Sequence, residues 1–265
     1  NTGSITIAAG TTLTVTSGSP TFNHNGGALT VGGTLVQTAG TLNYNGGGLP
    51  GGGAMSLTST TLNFNAAGPI GPAVTLINSH LNIAPAATGA ASFTWRGAGN
   101  YSGNLSSGQA LQLLGDGTNG PAILTAANGF TNNSVITMSS AHPSWGAFLN
   151  VTAGALTNNG TINVILGAGG IRQIGANLVN AGTINLNADT TFNKSSGTYT
   201  NTGTITIPVG TTLTVQSGAP TFSNVTGSIV GGGSLVLNSV TFFGAGTIVV
   251  NVTNNSGQFN VGSSP

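Results

Sequence analysis

Short phrases return along this chain at an almost fixed interval, and that interval constrains the fold more than any single residue does. The frame N-x-G-T-I starts at Asn158, Asn180 and Asn201, in steps of 22 and 21 residues. T-L-N starts at Thr41 and Thr61 and reappears as H-L-N at His80, in steps of 20 and 19. A longer sentence recurs too: residues 1–22 agree with residues 201–222 at 17 of 22 positions. A period of this length marks units that bury their apolar faces only against their neighbours, which is the logic of a solenoid.

Within a unit the pattern alternates by two, as strands require. In Thr41-Leu42-Asn43-Tyr44-Asn45, Leu42 and Tyr44 point one way, and Thr41, Asn43 and Asn45 the other. Leu62 with Phe64, and Leu81 with Ile83, keep the same parity. Stacked in register, Leu42, Leu62 and Leu81 form an inward ladder, while Thr and Asn form outer rows. Gly160, Gly182 and Gly203 precede strands, where a corner needs positive φ or close backbone approach. No stretch has a helical period. The fold class expected is therefore all-β: a single-stranded parallel β-solenoid with coils of about 20–22 residues.

One domain over residues 1–265 is expected, with regular coils in 1–85 and 151–265. Residues 86–150 lose the clean frame and hold both tryptophans, so less regular, aromatic-containing coils are expected there. About a dozen coils at ~4.8 Å each make a rod around 60 Å long. A β-sandwich array is the rival, but its turns would come every 8–12 residues.

Composition narrows the function. Charged residues are 2% of the chain, three basic and two acidic, with a net charge of +1. No basic stripe exists to hold nucleic acid or an anionic membrane surface, and no apolar run is long enough to insert in a bilayer as a helix. There is no cysteine, hence no disulfide or thiolate site. A nearly neutral surface favours self-association.

Candidate chemistry is sparse. Asp116 and Asp189 are three to four coils apart, at least ~14 Å, and glycosidic carboxylate pairs need about 5–9.5 Å. Asp116 lies in GDGTNG, a turn sequence. His24, His80 and His142 are isolated, so no metal site is expected; His80 replaces the threonine of T-L-N and should face outward. Arg96, Arg172 and Lys194 are scattered. No catalytic residue and no cofactor are expected. A glycan could stack on the central aromatics, and the ligand-binding candidates are Trp95, Tyr101 and Trp145. The plainer reading, which is preferred, puts these aromatics in the core. Thr12/Thr14 and Thr212/Thr214 fit the T-x-T of an ice-binding face, but Asn163 and Asn185 break the row.

The phrases resemble the passenger repeats of bacterial filamentous-haemagglutinin-like adhesins and autotransporters. The residues carrying the likeness are N-x-G-T-I at 158–162, 180–184 and 201–205, GTTLTV at 10–15 and 210–215, and GGGSLVLNSVTFFGAGTI at 231–248. The closing NNSGQFNVGSSP at 254–265 also looks like a phrase found late in such passengers. The resemblance implies an extracellular, bacterial cell-surface location. Together with the repeats, it leads to the expectation of a non-catalytic structural subunit or segment of a surface fibre, adhesin or biofilm matrix. Its partner is itself, joined head to tail through open coil edges or as a continuing solenoid. The alternative is a glycan-binding adhesin module; a polysaccharide lyase or hydrolase and an ice-binding protein rank below it.

Overall fold

The computed structural model describes residues 1–16 and 18–262; Ser17 and residues 263–265, the end of the GSSP phrase, lie outside it. Among the described residues there is no helix, and every pairing between named strands is parallel, forming a β-solenoid of about 12 turns. Each turn lays down three segments, on faces called here III, II and I in chain order. Face II is a sheet of its own, with one strand per turn from Thr12–Val15 to Thr247–Ile248. Faces I and III share the larger sheet, because long strands such as Thr21–Val31, Ala147–Asn158 and Ser234–Gly244 run across the bend between them.

The expected ladders are present. On face I, Leu42 pairs with Leu62 and Leu62 with Leu81, all fully buried, with Tyr44 beside Phe64 and Phe64 beside Ile83. Face II carries an unbroken inward ladder that starts at Leu13, passes through Phe93 and Ile162, and ends at Ile248. Each buried Leu or Ile rung contributes roughly 1.5–3 kcal/mol. Aromatic rungs stack in register as well: His24 on Tyr44 and Tyr44 on Phe64, with centroids 5.6 Å apart in both pairs.

The N-x-G-T-I frame occupies the corner from face III to face II, and each letter has a physical task. The Asn points inward and is buried. Asn132, Asn158, Asn180, Asn201 and Asn224 form a ladder in which each Nδ2 donates to the next Oδ1 at 2.7–2.8 Å. Each also donates to the carbonyl of the residue that begins the following face II strand, as Asn158 does to Thr183 at 3.1 Å. The Asn backbone carbonyl takes two N–H groups from the next coil; that of Asn158 accepts from Ala181 and Gly182. Gly must follow because a Cβ at Gly182 would lie 2.1 Å from the Gly160 carbonyl oxygen, and one at Gly203 equally close to that of Gly182. Close approach, not positive φ, selects glycine here. Thr then faces out and Ile in.

The repeated sentence is laid down on different faces. Ser4–Ile7 pairs with residues 28–31 on face III, whereas Thr204–Thr206 lies on face II. Likewise Thr12–Val15 is on face II and Thr212–Val215 on face I. Alternation and corners are common to all faces, so one phrase fits any of them.

Coil size varies more than expected, and at different places. On face II the register advances 18 residues from Phe93 to Leu111, then 25 to Ile136 and 26 to Ile162. On face I it advances 25 at each step from Ala98 to Ile123, from Ile123 to Phe148 and from Phe148 to Gln173. The wide turns thus span about residues 98–172 rather than 86–150, and residues 86–97 belong to narrow ones. The extra length goes into the corner between faces II and I.

Candidate functional site

The corner between faces II and I is where this solenoid departs from a plain rod. From the second turn to the fifth it spans only one or two residues between the strands, such as Ser59 and Gly97. Three successive turns then carry loops 116–121, 141–146 and 166–171; the next corner is only Ala188 and Asp189, and the one after is 207–211. Three six-residue loops make a ridge, and the two-residue corner beside them leaves a notch.

Each ridge loop is held by its own polar group. In the first, Asp116 accepts hydrogen bonds from the backbone N–H of Thr118 (2.8 Å) and Asn119 (2.6 Å) and from the Asn119 side chain, and it pairs with Arg96 at 3.0 Å. Burial pushes this carboxyl up, but the Asn119 and Thr118 hydrogen bonds and the Arg96 charge outweigh it, so its pKa lies below the ordinary value of 3.8. In the second, the Ser140 hydroxyl donates to the His142 carbonyl at 2.6 Å and the His142 and Trp145 rings lie 6.3 Å apart. The third is built around Arg172, 1% exposed. Its Nε donates to the Ile165 carbonyl; Nη1 donates to those of Gly169 and Ile171, and Nη2 to those of Ile165 and Leu166. All five N–H groups are used on backbone, and burial pulls the guanidinium pKa down.

The sequence candidates do not come together. Trp95 is fully buried and its indole N–H donates to the Ile123 carbonyl at 3.2 Å. Tyr101 is also in the core, edge-on to Phe130 at 4.8 Å; its hydroxyl has no hydrogen-bond partner among the described residues, and burial pushes its pKa up. Neither is available to stack on a sugar at the surface, which corrects that candidacy. Trp145 alone of the three is exposed, at 40%, on the second ridge loop. Arg96 is not solitary, since it pairs with Asp116, and Asp189 accepts from the Thr212 N–H at 2.8 Å. The two aspartates lie on the same corner three turns apart. His80 is half-buried, its Nδ1 accepting from the Asn100 N–H at 3.1 Å. Thr12/Thr14 and Thr212/Thr214 are on different faces and make no common array.

Two features escaped the sequence reading. The Asn ladder had a signal: Asn158 is two residues after Leu156, and Asn180 two after Leu178, which gives each asparagine the parity of an inward residue. The notch had none in any one repeat, because it depends on the corner lengths of three consecutive turns.

No family model matches the chain, and no curated protein or solved structure matches it. Fold and corner together define a β-solenoid repeat protein with one elaborated edge.

Proposed function

We propose that the chain is a non-catalytic structural section of an extracellular bacterial fibre, in the style of filamentous-haemagglutinin or autotransporter passengers. The observation that carries this reading is the condition of the two outermost turns. Ile5, Leu13, Val15 and Phe22 at one end, and Ile248, Val250 and Val252 at the other, are only partly covered, although their equivalents in interior turns are sealed. The last strand, Asn251–Val261, leaves Phe259 and Val261 exposed, the latter 68%. A parallel strand with an unpaired edge and an unfinished apolar ladder is a template for one more turn. That turn comes from further chain or from another copy of this one.

In a head-to-tail joint between copies, like faces meet. Ser4–Ile7 would lie over residues 257–261 on face III, and residues 21–24 over 251–254 on face I. Charge supports the reading: a chain with five charged side chains places no repulsion across such a joint. So does the separation of the two aspartates, which is too large for a carboxylate pair.

Negative-stain electron microscopy and sedimentation of the purified chain test this. Filaments, or a mass rising with concentration, are expected, together with loss of both in Val261→Asp while the β spectrum stays intact. Short separate rods at every concentration would exclude joining between copies.

A further inference from the structure

We propose that the notch at Asp189 is a binding site for a neutral sugar ring, independent of how the rod is joined. It consists of two adjoining cavities of about 380 Å³ each, which share Gly170 and Asp189 in their linings. That volume is within the range of small-molecule sites. The notch exists because the short corner at 188–189 lies between the six-residue loop 166–171 and the five-residue corner 207–211.

Its rims are apolar and face water. Leu166 is 57% exposed, Ile171 61% and Val209 81%. These are among the most exposed large apolar side chains in the molecule, and they gather on the two projections that border one cleft. The wall bearing Leu166 and Ile171 is fixed in advance. A guanidinium without a carboxylate partner is costly to bury, yet Arg172 spends every donor on the carbonyls of this loop and of Ile165 just before it. A loop held this way loses little freedom when a ligand arrives.

The floor supplies a carboxylate and hydroxyls. Asp189 Oδ1 accepts from the Thr212 N–H, and Oδ2 accepts from no group among the described residues. Thr191, Thr212 and Thr214 project outward from face I beside it, and their hydroxyls make no hydrogen bond within the described residues. The notch therefore offers one free carboxylate oxygen and three hydroxyls, those of Thr191, Thr212 and Thr214, between apolar rims. It offers no free cationic donor, because all five Arg172 N–H groups are engaged on carbonyls. Ligand hydroxyls can donate to the carboxylate and exchange bonds with the threonines, while a ring's C–H face packs on Leu166 and Ile171. Phosphates, sulfates and uronates meet the Asp189 carboxylate and find no free N–H on Arg172 to offset it.

Trp145 lies one loop further along the same ridge. A Cβ at Gly170 would lie 2.3 Å from the Trp145 carbonyl oxygen, so these loops stack backbone to backbone. From the Trp145 corner to the Asp189 corner is two turns, ~10 Å. A second ring of a short oligosaccharide would run in that direction.

Ligand-observed NMR on the full chain tests the site, with a panel of methyl hexopyranosides and their disaccharides, the matching uronic acids, and butylamine. At least one neutral sugar should bind saturably and the uronic acids should not. Asp189→Asn keeps the acceptor for Thr212 and should weaken binding about tenfold. Thr214→Phe, outward on a strand, should abolish it by filling the cleft, with circular dichroism and Tm unchanged in both variants. No bound sugar at tens of millimolar, equal binding in both variants, or butylamine binding as tightly as the sugar would each overturn the proposal.

Discussion

Two of the asparagine ladders that run along this molecule differ in everything except the bond. In the N-terminal turns Asn23, Asn43, Asn63 and Asn82 line the outside of face I, with Nδ2 to Oδ1 distances of 2.6–2.8 Å. In the C-terminal turns Asn132 to Asn224 line the inside of the III–II corner at 2.7–2.8 Å. The outer amides lose little if a bond breaks, because water replaces it. The inner ones have no such substitute, and an orphaned buried amide costs about 1–3 kcal/mol. Equal geometry thus conceals unequal energy. The inner ladder also does what apolar rungs cannot: it fixes vertical register, since a bond between like amides tolerates little slip, whereas a Leu ladder does. In the N-terminal turns this corner is made instead with glycines and apolar residues, such as Val31-Gly32-Gly33 and Ile70-Gly71.

The largest effect should therefore come from Asn180→Ala. It removes the acceptor for Asn158 and the donor to Asn201 and to the Thr204 carbonyl, and it opens a small void. A loss of ~2–4 kcal/mol is expected. In a solenoid that loss is local, so hydrogen exchange should accelerate at residues 181–184 and 202–205 and much less in residues 40–80. Uniform acceleration along the rod would show that the ladder is not a local lock.

The alternation that exposes the outer ladder is legible in the sequence because T-L-N puts Asn43 on the opposite side from Leu42 and Tyr44. The period gave the stacking for the same reason: each repeat carries both its strand and its corner. The inner ladder was legible in principle from Leu178-x-Asn180, but asparagine is expected outside, and parity had to be trusted over polarity. Trp95 illustrates the same conflict, since Phe93-x-Trp95 is an inward pair on a strand. The face each phrase occupies was not legible, because any face accepts the same alternation and the preceding corners decide. The notch at Asp189 is further from view, being a difference between neighbouring corners.

Acid separates the ladders from the one ion pair found among the described residues, Arg96 with Asp116. Amides do not titrate, so neither ladder should respond to pH. Asp116, with its folded pKa below 3.8, stabilises the fold above that value, and the contribution is lost as pH falls through the folded pKa. Tm should stay level from about pH 5 to pH 8 and decline only below about pH 4. Asp116→Asn should remove much of that acid decline, leaving the value near neutrality slightly lower because Arg96 loses its partner. A decline already under way at pH 5 would mean that another group carries the pH response.

The smallest effect should be that of Asn63→Ala in the outer ladder. Asn63 donates to Asn43 at 2.7 Å and accepts from Asn82 at 2.8 Å, so on paper it loses as many amide–amide bonds as Asn180 does. Its side chain is half-exposed, however, and water takes up both partners. The substitution should cost no more than ~1 kcal/mol, and alanine's weaker strand propensity accounts for part of that. Exchange at the amides of Leu62 and Leu81 should barely change, because Leu62 and Leu81 still fill the inside of the same strands. If Asn63→Ala matched Asn180→Ala, the two ladders would be energetically alike, and burial would not be what distinguishes the lock from the ornament.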